Sequence, residues 1–174
     1  MKPRYAAMAG FLALSFAVTS AQAAGPTDPQ IAAIVVTANQ VDIDAGKLSL
    51  SKAKSPDVKT FAQLMITDHS GVNKAATELV QKLHVTSESN PTSQSLQKGG
   101  DDNLAALKKL SGSAFDRAYV DHEVVYHQAV LDAVDTTLIP SAQNAELKAL
   151  LVKVRPAFVA HLDHAKHLQS ELGK

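Results

Sequence analysis

The sequence predicts an all-α fold, a bundle of four helices, and two observations support that prediction. Residues 55–84 carry apolar side chains at intervals of three and four, the pattern of a helix with one buried face. Three further stretches, beginning near residues 28, 113 and 141, repeat this spacing. Helix-forming residues dominate, and aromatic residues make up only 5% of the chain, which argues against a β fold.

The first 23 residues are expected to be a signal peptide that takes no part in the fold. Lys2 and Arg4 precede an uncharged, mostly apolar run from Ala6 to Val18, and an Ala-Gln-Ala cleavage pattern follows. This run is shorter than the roughly 20 apolar residues of a membrane-spanning helix. We therefore predict an exported protein, periplasmic or secreted, in which residues 24–174 form a single domain.

Composition excludes several classes of protein. The chain has no cysteine, so it is neither a disulfide scaffold nor a lipoprotein anchored through an N-terminal cysteine. Basic and acidic residues balance at 17 each without a basic cluster, which excludes nucleic acid as a partner. No serine or cysteine lies in a nucleophile motif, so the sequence names no catalytic reaction.

The first two predicted helices form a hairpin. Helix 1 is expected to run from Asp28, its N-cap, to about Ala53, with Pro29 at the first helical position. Helix 2 is expected to begin after Ser55, a fitting N-cap, and to end near His84. The link between them is so short that the two helices must be antiparallel.

A long connection of polar composition follows helix 2, over residues 85–113. A short helix is expected within it, from Asp101 to Leu110. A link of this length suits a crossover along the bundle, which would make helices 2 and 3 parallel. Helix 3 is predicted from about Ser113 to about Thr136.

Helix 4 follows Pro140, has Ser141 or Asn144 as its N-cap, and continues to Leu172. Pro156 lies inside this helix and should kink it. A hairpin, a long crossover and a second hairpin together make a four-helix bundle of ferritin-like topology.

Four polar side chains interrupt or flank the apolar stripes at similar depths, and these are the candidate site residues. They are Asp42, His69, His127 and His161, one from each helix. The first two are almost equally far from the turn that joins helices 1 and 2, so they should lie at the same level. Counting residues from the start of helix 3 places His127 at this level, whereas counting from its end places His122 there. The sequence therefore leaves open which of the two faces the core.

Imidazoles and a carboxylate that converge from separate helices suit a single transition metal ion, such as zinc, copper, iron or manganese. Di-metal sites of ferritin-like bundles use Glu-x-x-His motifs, and this chain has none, so one ion at most is predicted. Coordination needs neutral imidazoles, so metal affinity should fall as the pH drops through about 6.5.

The alternative is a hydrogen-bonded core without metal, in which Asp42 or Asp68 is the partner of a neighbouring imidazole. His164 and His167 lie near the C-terminus and are expected to be in solvent.

Three stretches of the sequence resemble a known family. They are SPDVKTFAQLMITDHS, FDRAYVDHEVVYHQAVLDAV and PAFVAHLDHAKHL, and the Phe-Ala-x-x-Met-x-x-Asp-His run at residues 61–69 is the most specific part. They resemble the bacterial exported family called domain of unknown function 4142. The resemblance implies a ferritin-like helical bundle in the periplasm or envelope and no settled activity. The resemblance favours His127 over His122 as the inward histidine, and it matches His69 and His161. Members of the family commonly have glutamate where this chain has Asp42.

Three functions are therefore compared. A metal-binding protein would bring three histidines within a few ångströms. A structural or stress-related envelope protein that binds a partner would show an apolar patch on the 85–113 connection. A metal-dependent redox enzyme would need an open coordination position and a substrate channel.

Overall fold

The computed structural model describes residues 25–173, and every regular element in that range is helical, which confirms the all-α prediction. The predicted signal peptide, residues 1–23, lies outside the described residues. The elements are α1 (Asp28–Lys52), α2 (Pro56–Lys82), α3 (Pro91–Lys108), α4 (Gly112–Ala133), a π-helical turn (Val134–Leu138), α5 (Ile139–Ser141) and α6 (Ala145–Leu172). Between residues 25 and 173, none of the helices combines the length and apolar character needed to cross a bilayer.

The turn between α1 and α2 is held by an acid from another part of the chain. The carboxylate of Asp116, near the start of α4, accepts hydrogen bonds from the backbone N–H groups of Lys54 and Ser55, at 2.9 and 2.8 Å. The start of α4 therefore lies at the α1–α2 turn. This places the N-termini of α2 and α4 at the same end of the bundle, so the two helices are parallel, as the crossover predicts.

The turn before α6 is held in the same way at the opposite end. The carboxylate of Asp28, in the first turn of α1, accepts hydrogen bonds from the backbone N–H groups of Gln143 and Asn144, each at 2.9 Å. The start of α1 therefore lies beside the start of α6. The hairpin α1–α2 and the antiparallel pair α4–α6 thus each supply one acid to the turn of the other.

This use of Asp28 corrects its predicted role. Thr27 is the N-cap of α1, and its backbone N–H donates a hydrogen bond to Oε1 of Gln30 at 3.2 Å. Asp28 is the first helical residue, and its carboxylate accepts hydrogen bonds from the turn before α6 instead of capping its own helix. The other predicted caps, Ser55 for α2 and Asn144 for α6, are confirmed.

The crossover contains a longer helix than predicted, since α3 begins at Pro91 and the prediction placed its start at Asp101. Asn90 is the reason. Its side-chain oxygen accepts hydrogen bonds from the N–H groups of Thr92 and Ser93, both at 3.1 Å, directly before a proline at the first helical position. The cap and the proline start the helix ten residues early.

Two glycines lie inside α3, where the sequence indicated a loop. A Cβ atom on Gly100 would approach Val41 Cγ2 to 2.6 Å, so glycine at this position lets α3 pack closely on α1. The chain therefore returns along α1 as a helix that covers the outer side of the bundle, from its contact with Gln30 at one end to Lys52 at the other.

Two apolar clusters fill the core, and a polar layer separates them. The cluster near the α1–α2 turn includes Phe61, Met65 and Phe115, while the cluster near the start of α6 includes Ile31 and Leu151. On α1, α2 and α4 the sequence passes from one cluster through a buried charged or imidazole side chain to the other, and on α6 His161 lies one turn before Ala165, where the second cluster begins. The polar layer therefore lies midway along the bundle.

Candidate metal centre

Five ionisable side chains make up the polar layer, and each is no more than 2% exposed. They are Asp42 from α1, His69 from α2, Glu123 and His127 from α4, and His161 from α6. Such groups are rarely buried so completely unless they are paired or bind a metal.

The three histidines of the layer face one another. Their ring centroids are separated by 5.6 Å between His69 and His127, 5.2 Å between His69 and His161, and 5.5 Å between His127 and His161. One ring nitrogen of each lies within 4.8 Å of one ring nitrogen of each of the others. Metal–imidazole bonds are about 2.0–2.1 Å long, so a small inward movement of the rings would suit one ion.

One nitrogen of His69 is anchored by a neutral acceptor. Its Nδ1 lies 2.7 Å from Oδ1 of Asn39, whose own Nδ2 donates to the carbonyl of Val35 at 2.8 Å. Because the amide nitrogen of Asn39 is already used as a donor, its oxygen accepts and Nδ1 of His69 carries the hydrogen. The other nitrogen, Nε2, then carries no hydrogen and has a free lone pair.

The other two rings are anchored on the same principle. His127 Nδ1 donates to the backbone carbonyl of Glu123 at 3.1 Å, and His161 Nε2 donates to the carboxylate of Asp68 at 2.8 Å. The three remaining nitrogens, His69 Nε2, His127 Nε2 and His161 Nδ1, are buried and have no hydrogen-bond partner. Metal-binding histidines characteristically donate their second N–H to a carbonyl or carboxylate, so this donor set fits a metal ion.

The carboxylates lie beside this group. Asp42 Oδ2 is 3.4 Å from His69 Nε2, and Glu123 Oε2 is 3.3 Å from His127 Nδ1. Asp42, Glu123 and His127 also offer three ligand atoms within 4.8 Å of one another. The structure thus brings all four sequence-predicted residues into one layer, with Asp42 beside His69 and also within reach of Glu123 and His127.

Sequence reasoning missed Glu123 and Asn39. Glu123 lies four residues before His127, a spacing that puts both on one helix face but differs from the Glu-x-x-His motif of ferritin-like di-metal sites. Asn39 precedes Asp42 by one helical turn on the same face of α1, which was the available signal for it.

The remaining histidines lie outside the layer. His122 is half-buried, with its ring stacked on that of Tyr126 at a centroid distance of 5.5 Å, so His127 is the inward residue of the two. His167 is exposed, as predicted. The prediction for His164 was wrong, because its ring is partly buried with its edge against the face of Phe61, at 5.0 Å.

Burial controls the protonation of the layer. It lowers the pKa of His69 well below its usual value, and the neighbouring His127 and His161 add to the effect. Burial lowers the pKa of His161 as well, although its hydrogen bond to Asp68 opposes the shift. Protons therefore compete with a metal ion for the ring nitrogens of His69 and His161 only at a pH below about 6.5, the pKa of an unperturbed histidine.

These shifts predict that the metal-free protein loses stability on acidification. Below pH about 6.5 the unfolded chain binds protons at residues 69 and 161 while the folded chain does not, so the free energy of unfolding falls. The slope is at most about 1.4 kcal/mol per pH unit for each histidine. Urea titrations of chelator-treated protein at pH 7.5 and 5.5 measure it.

Asp42 supplies the control for this prediction, because its slope has the opposite sign. Burial, followed by the charge of Glu123, raises the pKa of Asp42 well above its usual value, so acidification relieves a cost in the folded state. The loss of stability at pH 5.5 should therefore be larger in Asp42→Asn than in the unmodified protein. An equal or smaller loss would contradict the assignment.

An apolar cavity of about 530 Å³ leads from the surface to the layer. Exposed Thr92 and Thr137 border it on the outside, while His69 and Asp42 line it on the inside. Its walls are largely aliphatic, formed by residues such as Ile34, Val35, Val130, Val134, Leu151 and Val154. The π-helical turn contributes to one wall, and such turns are frequent at functional sites.

The fold and the site together define a class of protein: an all-helical bundle with a buried layer of histidines and carboxylates midway along it. The chain belongs to the family described as domain of unknown function (DUF4142), which matches residues 13–168.

A solved structure has a similar fold. CopM in the Cu(II)-bound form superimposes with a TM-score of 0.64 at 18% sequence identity, over 84% of this chain and 98% of that chain. At this identity the similarity concerns the fold alone. No curated protein matches the sequence.

Proposed function

We propose that this protein binds a transition metal ion in the cell envelope through His69, His127 and His161, and that it does so without catalysing a reaction. The supporting observation is the set of three unpartnered ring nitrogens, each on an imidazole whose other nitrogen is already anchored. A buried polar atom without a partner is unfavourable, and one ion would satisfy all three. Asp42, beside His69, assists by balancing the charge of the ion.

Copper is the first ion to test, ahead of zinc and iron. Imidazole ligands suit all three, and Cu²⁺ binds nitrogen sites most tightly among the divalent ions of the series. CopM, with a similar fold, was solved in a Cu(II)-bound form. We also propose that the bundle has ferritin-like topology, in which α3 is the helix within the long crossover between α2 and α4.

Elemental analysis of protein purified from the periplasm, without an affinity tag or chelator, is the decisive experiment. We expect a transition metal at a stoichiometric level. Protein that contains no metal and binds added Cu²⁺ or Zn²⁺ no more tightly than exposed histidines do would favour the alternative, a structural hydrogen-bonded core in a protein that acts through a partner. The large apolar residues exposed between residues 25 and 173 are Leu64, Val125 and Val152, which lie outside the 85–113 connection.

Export is part of the proposal, and it predicts the mass of the mature protein. The charged start, apolar run and small-residue cleavage pattern should direct removal of residues 1–23. Intact-mass measurement of protein from the periplasmic fraction should give a chain that begins at residue 24. A full-length chain extracted from membranes would instead show that the apolar run is an anchor.

A metal-dependent reaction on an apolar substrate is the second candidate function, and the cavity favours it, because the cavity reaches His69 and Asp42. If the cavity admits such molecules, Ala133→Phe should fill part of it and weaken binding of an apolar fluorescent dye, N-phenyl-1-naphthylamine, by about tenfold or more. Ala105→Phe, on the exposed side of α3, is the matched control. Equal dye binding by both variants would show that the cavity is not used.

A further inference from the structure

We propose that the polar layer holds a second divalent cation, bound by the carboxylates of Asp42 and Glu123 with His127 beside them. The inference rests on the proposed function, because it places this ion next to the one bound by the three histidines. The ligand class is a divalent ion that accepts oxygen ligands, such as Mn²⁺ or Zn²⁺.

The two carboxylates are buried without the partners that buried anions need. Asp42 is 2% exposed and Glu123 is fully buried, and apart from contacts among Asp42, Glu123 and Tyr119 themselves, Asp42 Oδ1 and both carboxylate oxygens of Glu123 have no hydrogen-bond partner. Within residues 25–173, the ion pairs of these two acids involve only histidines, His69 for the first and His127 for the second. Two carboxylates buried side by side are strongly unfavourable unless they share a proton or bind a cation, and one divalent ion would balance both charges.

The geometry of the group fits an ion. Its three ligand atoms, one each from Asp42, Glu123 and His127, lie within 4.8 Å of one another and come from facing helices α1 and α4. A further buried oxygen lies nearby. Tyr119 precedes Glu123 by one helical turn on the same face, and its fully buried hydroxyl interacts with the carboxyl group of Glu123.

The two positions differ in chemistry. The histidine position offers only nitrogen, which favours Cu²⁺, whereas the carboxylate position offers mainly oxygen, which favours Mn²⁺ or Zn²⁺. His127 lies in both groups, but its Nδ1 donates to the carbonyl of Glu123, so its one free nitrogen, Nε2, binds the histidine ion, while Asp42 and Glu123 hold the second ion close beside it. In established two-metal sites the ions are about 3.5–4 Å apart.

Zinc stoichiometry tests the proposal directly. Equilibrium dialysis against Zn²⁺ followed by elemental analysis should give two ions per chain for the unmodified protein. Glu123→Gln removes a ligand from the carboxylate position only, and His161→Asn removes one from the histidine position only, so each variant should bind one ion. Asp121→Asn is the matched control, because this acid lies on the same helix but is only half-buried, and its carboxylate accepts a hydrogen bond from Gln169; it should bind two.

An independent measurement uses the unmodified protein alone. After one equivalent of Cu²⁺ is bound, added Mn²⁺ should broaden and weaken the Cu²⁺ electron paramagnetic resonance signal, because the two spins would be only a few ångströms apart. The signal of Glu123→Gln, loaded in the same way, should not change. Circular dichroism establishes that each variant is folded.

Each other outcome contradicts the proposal in a distinct way. One zinc ion in both the unmodified protein and Glu123→Gln, with an unchanged copper signal, would show that the carboxylates share a proton instead of a metal. Two ions in Glu123→Gln would place the second ion elsewhere. Neither copper nor zinc bound by the unmodified protein would overturn the proposed function together with this inference, whereas copper bound without any zinc would overturn this inference alone.

Discussion

Replacing His69 with alanine is expected to abolish Cu²⁺ binding at the histidine position. His69 supplies one of the three free ring nitrogens, and its ring centroid lies between 5.2 and 5.6 Å from those of His127 and His161. Loss of an outer partner alone typically lowers metal affinity by about 10 to 100-fold, so loss of a ligand should lower it further. Calorimetric titration with Cu²⁺ at pH 7.5 measures the change.

His167→Ala is the matched control for that experiment, because His167 is exposed on the last turns of α6. It should leave copper affinity unchanged. The copper affinity of Asn39→Ala should lie between those of His69→Ala and His167→Ala. Asn39 touches no ion in the proposed site and acts only by accepting the hydrogen bond from Nδ1 of His69. If His167→Ala weakens binding as much as His69→Ala does, the copper is bound by surface histidines and the layer is a hydrogen-bonded core.

Met65→Ala is expected to lower the free energy of unfolding by about 2 to 5 kcal/mol, through lost burial and the cavity that remains. Met65 is fully buried in the cluster that contains Phe61 and Phe115, so little space is available for its neighbours to relax. Urea denaturation of chelator-treated protein measures the effect without a contribution from bound metal.

Phe158→Ala should have a similar cost, and it tests the site as well, because the Phe158 ring stacks on His69 at a centroid distance of 5.4 Å. Val125→Ala is the control, since Val125 is 70% exposed and should change stability by no more than about 0.5 kcal/mol. A change that small for Met65→Ala would mean that the face of α2 assigned to the core is wrong.

The sequence predicted the helices well because the apolar residues of each helix mark the face that it buries. A stripe with a period of 3.6 residues identifies which side of α2 or α6 is inward, and His69 and His161 lie on those stripes. Depth along the bundle is different, because it depends on where two helices begin relative to each other. This is why His122 and His127 could not be distinguished by counting.

Pairing across helices was also out of reach. Glu123 acts in the layer because α4 faces α1, and the contact of Asn39 with His69 depends on the packing of α1 against α2. The π-helical turn is a further example. Its i to i+5 hydrogen bonds have no apolar period of their own, so the sequence alone predicted a helix that continues to Thr136.

The exchange of acids between the two helix pairs has a consequence for folding. Neither pair contains the acceptor for its own turn: residues 54 and 55 donate to Asp116, while residues 143 and 144 donate to Asp28. Each turn is completed only when the two pairs have docked, so turn closure and docking are coupled at both ends of the molecule. The two helix pairs cannot separate from each other without breaking the hydrogen bonds of both turns. This favours a single cooperative unfolding transition over stepwise loss of one pair.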